Sequence, residues 1–290
     1  MEQKTSDANQ GESLVLIAED QPVNQKLFSL ILDKLGYKTI IANDGRDAIK
    51  MVQEFSPVLV IMDIQMPKMN GYEAAKSLRD MSFKKPIIAV TASVLSNERE
   101  KCQNAGIDDV MIKPFKSSEI EEILKKWIGI SHETTSDSAS NSQQADRAKF
   151  PEFPEESKTA STVGSTVFDP GGMLNAFMNN LEAVLPLLAR FVDRTVLQLE
   201  NFPALRKSGD WETARRDAHT IKGAALTLCG SELGNAAALL EKACKNASAE
   251  EVDEIYPVVC EVFLKFKKAA EDFIKEKTYC QSDAQSGTAT

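Results

Sequence analysis

The chain has 290 residues, 42% of them hydrophobic, and a formal net charge of -9, enough apolar content for two modest cores and the wrong charge for nonspecific nucleic-acid binding, which no arginine-rich helix or reading motif offsets. No apolar run approaches the roughly 20 residues of a membrane span, and the polar N-terminus does not read as a signal peptide, so no membrane contact and a cytoplasmic location are expected. Five cysteines, at 102, 229, 244, 260 and 280, lack the close pairs that metal sites use and are expected to stay reduced.

Taken in chain order, residues 1–12 read as a disordered tail. The apolar run Leu14–Ala18 then ends in Glu19 and Asp20. Residues 58–71, Val-Leu-Val-Ile-Met-Asp-Ile-Gln-Met-Pro-Lys-Met-Asn-Gly, place one carboxylate, Asp63, at the end of a second apolar run. Thr91 follows the run 87–90, and Lys113 follows the run 110–112. Amphipathic helical stretches alternate with these runs through Trp127, a pattern that predicts a parallel sheet covered by helices on both faces. In such sheets ligands bind beyond the carboxyl ends of the strands, where these five residues would converge. Polar residues after strands often only cap helices, as Asp20 could do near Pro22, but five groups doing so at four strand ends is implausible.

The charges suggest the chemistry. Glu19, Asp20 and Asp63 would repel one another at close quarters, and a hard cation relieves that repulsion. Mg²⁺ fits best, since it accepts a few carboxylates, keeps waters and leaves positions for phosphoryl oxygens. Lys113 and the Thr91 hydroxyl would hold the remaining phosphoryl oxygens, with Asp63 as nucleophile.

The motifs Ala-Glu-Asp at 18–20, Met-Asp-Ile-Gln-Met-Pro at 62–67, Gly71, Thr-Ala at 91–92 and Lys-Pro-Phe at 113–115 together resemble the receiver domains of two-component signalling. The resemblance implies a flavodoxin-like five-stranded parallel sheet over residues 13–130. It also implies Mg²⁺-dependent phosphorylation of Asp63, with Glu19 and Asp20 as metal-site acids, the Gln65 backbone carbonyl on the metal and Lys113 as phosphate partner. Ala92 would leave room for a phosphodonor, and a cis bond before Pro114 would aim the lysine. Two features depart from the usual pattern. Val110 stands where receivers often carry an aromatic conformational reporter, which puts an aromatic switch linked to Thr91 in doubt. The acidic pair is Glu-Asp, a variant associated with receivers of hybrid kinases.

Residues 131–165 are rich in Ser, Thr, Gln and Glu and read as a flexible linker, broken only by Phe150-Pro-Glu-Phe153-Pro. Of the two histidines, His132 falls in this polar stretch, so histidine chemistry in a folded domain rests on His219. Around it Trp211, Ala214, Ala218, Ile221, Ala225 and Leu228 recur at helical steps and mark a buried face that stops near Gly230. His219 lies about 100° round from Ala218, at the edge of that face. Lys222 and Gly223 stand three and four positions on, above the imidazole. A lysine there neutralises a phosphoryl group, and a glycine leaves room for a docking partner.

This setting, Ala-His-Thr-Ile-Lys-Gly at 218–223, resembles a histidine phosphotransfer domain, an all-α helical bundle expected over residues 166–279, with a second tail at 280–290. By family spacing Glu241, on a helix expected over Ser231–Lys245, would face His219 and hydrogen-bond its other ring nitrogen. Relatives often have glutamine there.

The expected function is a phosphorelay intermediate. A histidine kinase gives its phosphoryl group to Asp63, Asp63 passes it to His219, and a downstream receiver collects it, with transfer able to run backward. A linker of this length spans about 30–35 Å, which keeps the two sites at about millimolar effective concentration and permits interdomain docking. No ATP-binding kinase core is apparent, although the chain could be the C-terminal part of a hybrid histidine kinase. Two rivals are a Mg²⁺-dependent aspartyl-phosphate phosphatase, in which a second acid would be expected where Gln65 stands, and a phosphorylation-independent scaffold.

Overall fold

The computed structural model describes residues 13–91, 96–113, 115, 117–129 and 166–286. The expectations for the 1–12 tail, Ala92, the bond before Pro114, and the linker with its Phe-Pro segment lie outside the described residues. The chain divides into two compact units.

The first unit is a five-stranded parallel sheet in the order β2-β1-β3-β4-β5. The strands and the helices that alternate with them are β1 (Leu14–Ala18), α1 (Pro22–Lys34), β2 (Lys38–Ala42), α2 (Gly45–Phe55), β3 (Leu59–Asp63), α3 (Gly71–Asp80), β4 (Ile87–Thr91), α4 (Ser96–Asn104), β5 (Asp109–Ile112) and α5 (Ser117–Ile128). The central strands are apolar along their length because helices cover both faces, and every residue of β3 and β4 is buried. Pairing aligns Ala18 with Met62, Asp63 with Val90 and Thr91 with Ile112, which brings the polar residues to one edge.

Away from that edge, charged anchors fix the helices. Arg79 at the end of α3 donates to the carbonyls of Gly106 (2.8 Å), Phe83 (2.7 Å) and Lys85 (2.9 Å) and pairs with Asp108. Asp109 accepts from Lys126 Nζ (2.7 Å) and Trp127 Nε1 (2.9 Å), pinning α5 to β5.

The second unit is helical: α6 (Pro170–Ala176), α7 (Leu181–Ser208), α8 (Trp211–Thr227), α9 (Ser231–Lys245) and α10 (Ala249–Ser286). Asp169, Asn180 and Asp210 cap α6, α7 and α8 by accepting from backbone amides at the third residue on. Gly209 ends α7 with φ 72°, a left-handed conformation that glycine adopts without a side-chain clash. The core gathers Leu188, Ala218, Ala225, Leu233, Leu240 and Phe266, with Phe168 and Phe191 edge-on to Phe266. A Cβ at Gly234 would lie 2.5 Å from Leu226 Cδ2, so glycine permits the close approach of α9 to α8.

Two expectations are corrected. Trp211 is half-buried, whereas Ala214, Ala218, Ile221, Ala225 and Leu228 are buried. Its place at the first position of α8 puts the indole at the end of the packed face. The second tail does not begin at 280, because α10 continues to Ser286. No glycine or proline interrupts the sequence between Pro257 and Gly287, so nothing local stops the helix earlier.

Candidate functional site

At the carboxyl edge of the sheet, Glu19, Asp20 and Asp63 each offer a carboxylate oxygen, and these oxygens lie within 4.8 Å of one another. Glu19 and Asp63 are buried. Lys113 Nζ sits between them, 2.7 Å from Asp63 Oδ2 and 2.9 Å from Glu19 Oε2. The lysine comes from the end of β5, where its amide donates to the Thr91 carbonyl (2.8 Å). Two residues on, Phe115 stacks on Phe28 of α1 at 4.5 Å and anchors the segment that carries the lysine. The other Asp63 oxygen, Oδ1, accepts from the Gln65 amide (3.1 Å). Thr91 is buried at the end of β4, one strand over from Asp63. Gly71 lies so close beneath the site that a Cβ there would be 2.4 Å from the Asp63 carbonyl oxygen.

Among the described residues, the Lys113 ammonium is held between two of the three acids. Burial is the main cause that pushes the Glu19 carboxyl up; Lys113 opposes it, and Asp63 and Asp20 add to it. Burial works against the charge on Lys113, but Asp63 and Glu19 together outweigh it and raise the ammonium above its ordinary value. Three carboxylate oxygens so close together make an all-oxygen donor set of the kind that suits a hard divalent cation.

The second constellation lies on α8 and α9. His219 Nδ1 is 2.8 Å from Glu241 Oε1, and Lys222 Nζ is 3.2 Å from Glu241 Oε2. Burial favours the neutral form of Glu241, but the hydrogen bond and charge of His219 and the charge of Lys222 overcome it and hold the carboxyl at about 2. An ionised carboxylate only accepts, so Nδ1 carries a proton, and in the neutral ring the lone pair is then at Nε2. A Cβ at Gly223 would meet nothing within 4 Å, so nothing inside this unit demands a glycine there.

Sequence reasoning missed Arg215. It stands four residues before His219, 2.9 Å from Glu212 and 4.0 Å from Glu241, and so belongs to the same charged group. The helical spacing to His219 was the available signal. It also missed Asp44 and Lys68, which pair at 2.6 Å between the turn before α2 and the segment that follows Asp63.

Residues 15–125 match the family model of the response regulator receiver domain, and residues 173–269 match that of the Hpt domain. The polar-differentiation response regulator DivK of Brucella anthropi is 34% identical over 117 residues, covering 40% of this chain and 95% of DivK. The sensor histidine kinase RcsC of Salmonella typhi is 32% identical over 121 residues, 42% of this chain. The chain spans only 13% of the length of that kinase. Among solved structures, the receiver domain of sensor histidine kinase PA1611 from Pseudomonas aeruginosa PAO1, described with a magnesium ion coordinated in its active-site cleft, is 36% identical over 41% of this chain and 99% of its own, with a TM-score of 0.39.

Fold, acidic edge and helical bundle define a protein of two-component phosphorelay signalling. The chain belongs to the response regulator receiver family, with an Hpt domain following the receiver. Among the described residues, no helix is long and apolar enough to cross a membrane.

Proposed function

We propose that this chain is an intermediate of a multistep phosphorelay, with Asp63 and His219 as successive phosphoryl carriers. The observation that carries the reading is Lys113, which bridges the buried carboxylates of Asp63 and Glu19 at the one edge where Asp20 also points. Glu19, Asp20, Asp63 and the Gln65 carbonyl would hold Mg²⁺, which would supply positive charge to the phosphoryl oxygens.

In the first transfer an Asp63 carboxylate oxygen attacks the phosphorus of a phosphohistidine on a histidine kinase. The new P–O bond forms as the P–N bond breaks, and the donor imidazole leaves neutral. Lys113 then pairs with a phosphoryl oxygen in place of the carboxylate, and the Thr91 hydroxyl donates to another. In the second transfer the Nε2 lone pair of His219 attacks the same phosphorus, restoring the Asp63 carboxylate. The ring becomes cationic, and Glu241, already on Nδ1, stabilises that charge while it fixes the tautomer. Lys222 lies on the same helix face and neutralises the phosphoryl group, and Gly223 leaves the approach to Nε2 open. A further receiver domain would collect the group, in a cytoplasmic setting. We read the domains as 13–130 and 166–286, joined by a linker over 131–165.

Incubation of the full chain with acetyl phosphate, followed by intact-mass measurement, tests the entry step. Phosphate uptake that requires Mg²⁺ and disappears in Asp63→Ala is expected. Uptake that survives Asp63→Ala without reaching His219, or that ignores Mg²⁺, would overturn the assignment of Asp63. Sustained turnover of a generic phosphomonoester at enzyme-like rates would instead favour a phosphatase.

A further inference from the structure

The segment joining β3 to α3 carries Gln65, whose amide orients Asp63. It is closed at its base by the Gly71 amide, which donates to the Ile64 carbonyl at 2.9 Å. Its outer part is bent sharply: the Met69 amide donates back to the Pro67 carbonyl at 2.7 Å, across Lys68, whose φ is 63°. A three-residue turn about a lysine at positive φ is strained and persists only where its surroundings hold it.

The turn before α2 supplies the hold. Asp44 caps α2 through the Asp47 amide (2.9 Å) with one oxygen and takes Lys68 Nζ (2.6 Å) on the other. Next to it, the Gly45 amide donates to the Met69 carbonyl at 3.2 Å. The fit leaves no room for a side chain, since a Cβ at Gly45 would be 2.7 Å from that carbonyl oxygen and 2.9 Å from Ala74 Cβ. Asp44 itself is buried, with a side chain 6% exposed, whereas Lys68 is 67% exposed, so the anchor is fixed and the lysine is the arm that closes onto it. The Lys68 hydrogen bond, foremost, keeps the Asp44 carboxyl below its ordinary range, so the pair stays charged at neutral pH.

We propose that Asp44 and Lys68 are positioning residues for the Asp63 site: their ion pair, with the Gly45–Met69 hydrogen bond, clamps the strained β3–α3 segment so that Gln65 is held in register with Asp63 for cation binding. The inference rests on the reading of Glu19, Asp20 and Asp63 as a Mg²⁺ site. A loose segment would let the Gln65 peptide rotate away from Asp63, and cation affinity would fall although no carboxylate of the cluster had changed.

The test is calorimetric titration of the unphosphorylated full chain with MgCl₂, with thermal unfolding recorded alongside. Lys68→Met and Asp44→Asn are each expected to weaken Mg²⁺ binding about three- to fivefold, the range of a partly exposed ion pair. The double variant is expected to be no weaker than either single one, and Lys68→Arg, which keeps the pair, is expected to bind like wild type. Wild-type affinity in Lys68→Met, or a loss in Lys68→Arg as large as in Lys68→Met, would overturn the clamp and leave the metal reading intact. Absence of saturable Mg²⁺ binding by wild type would overturn both.

Discussion

The two proposed phosphoryl carriers, Asp63 and His219, each sit against a charged side chain, an ammonium at the first and a carboxylate at the second, and the two sites are built in different ways. Asp63 lies among carboxyl groups and accepts from the ammonium of Lys113. His219 is a base steadied by the carboxylate of Glu241. The first site needs four strand ends from across the sheet and so exists only when the whole unit is folded. The second needs two adjacent helices. On the proposed relay, a cation and Lys113 would offset the negative charge that a phosphoryl group adds to the sheet site, whereas the carboxylate of Glu241 would compensate the positive charge that a phosphorylated ring acquires.

The largest effect should come from removing the cation at the sheet site. Lys113→Met strands Glu19 and Asp63 buried together, and a loss of about 3 kcal/mol in urea unfolding with EDTA is expected. Added Mg²⁺ should recover part of it by binding the folded form only. A stability unchanged in EDTA would show that the acids are not charged together.

The glycines of the two sites should respond in opposite directions. Gly71→Ala forces a methyl against the Asp63 backbone, and a loss of about 2 kcal/mol is expected. Gly223→Ala meets open space, so the better helix former should raise stability by about 0.5–1 kcal/mol. Transfer to or from a separate receiver should nonetheless slow, because the methyl stands where the partner must approach. A Gly223→Ala variant that is both more stable and fully active would remove the docking role of that position.

Between these lies the pH response of Glu241. Its carboxyl is held at about 2 in the folded chain against an ordinary 4.5. A depressed carboxyl stabilises the fold above its unfolded value, and that contribution fades as the pH falls from about 4.5 toward 2. The gap in unfolding free energy between wild type and Glu241→Gln, on the order of 2 kcal/mol near pH 5, should therefore close over that interval. His219, Lys222 and Arg215 are the basic side chains facing the carboxylate. A gap that does not change with pH would show that the pairing contributes nothing to stability.

Much of the sheet site was legible because each strand is a short apolar run, so a polar residue directly after one is conspicuous. Glu19, Asp63, Thr91 and Lys113 all announced themselves in this way. The pairing of Asp44 with Lys68 was not legible, since 24 residues separate them and each alone reads as an ordinary cap or a solvated charge. Arg215 was hidden for a similar reason: a charged residue on a helix is by default a solvent-facing one, and only the packing of α9 against α8 brings Glu241 near it. Helical periodicity found the buried face of α8 but overstated Trp211, because a pattern of spacings does not show where the neighbouring helices end. The reach of α10 to Ser286 escaped a reading based on polarity, since a polar sequence without breakers continues a helix as readily as it forms a tail.

The most direct test of the central claim follows the label from one carrier to the other. The full chain, Asp63→Ala and His219→Ala are each incubated with Mg²⁺ and radiolabelled acetyl phosphate, and acid-labile and alkali-labile label are separated. The account expects acid-labile label at His219 in the wild type only, with alkali-labile label at Asp63 in both wild type and His219→Ala. Label at His219 that persists in Asp63→Ala, or label that reaches Asp63 and never appears at His219, would contradict the internal relay.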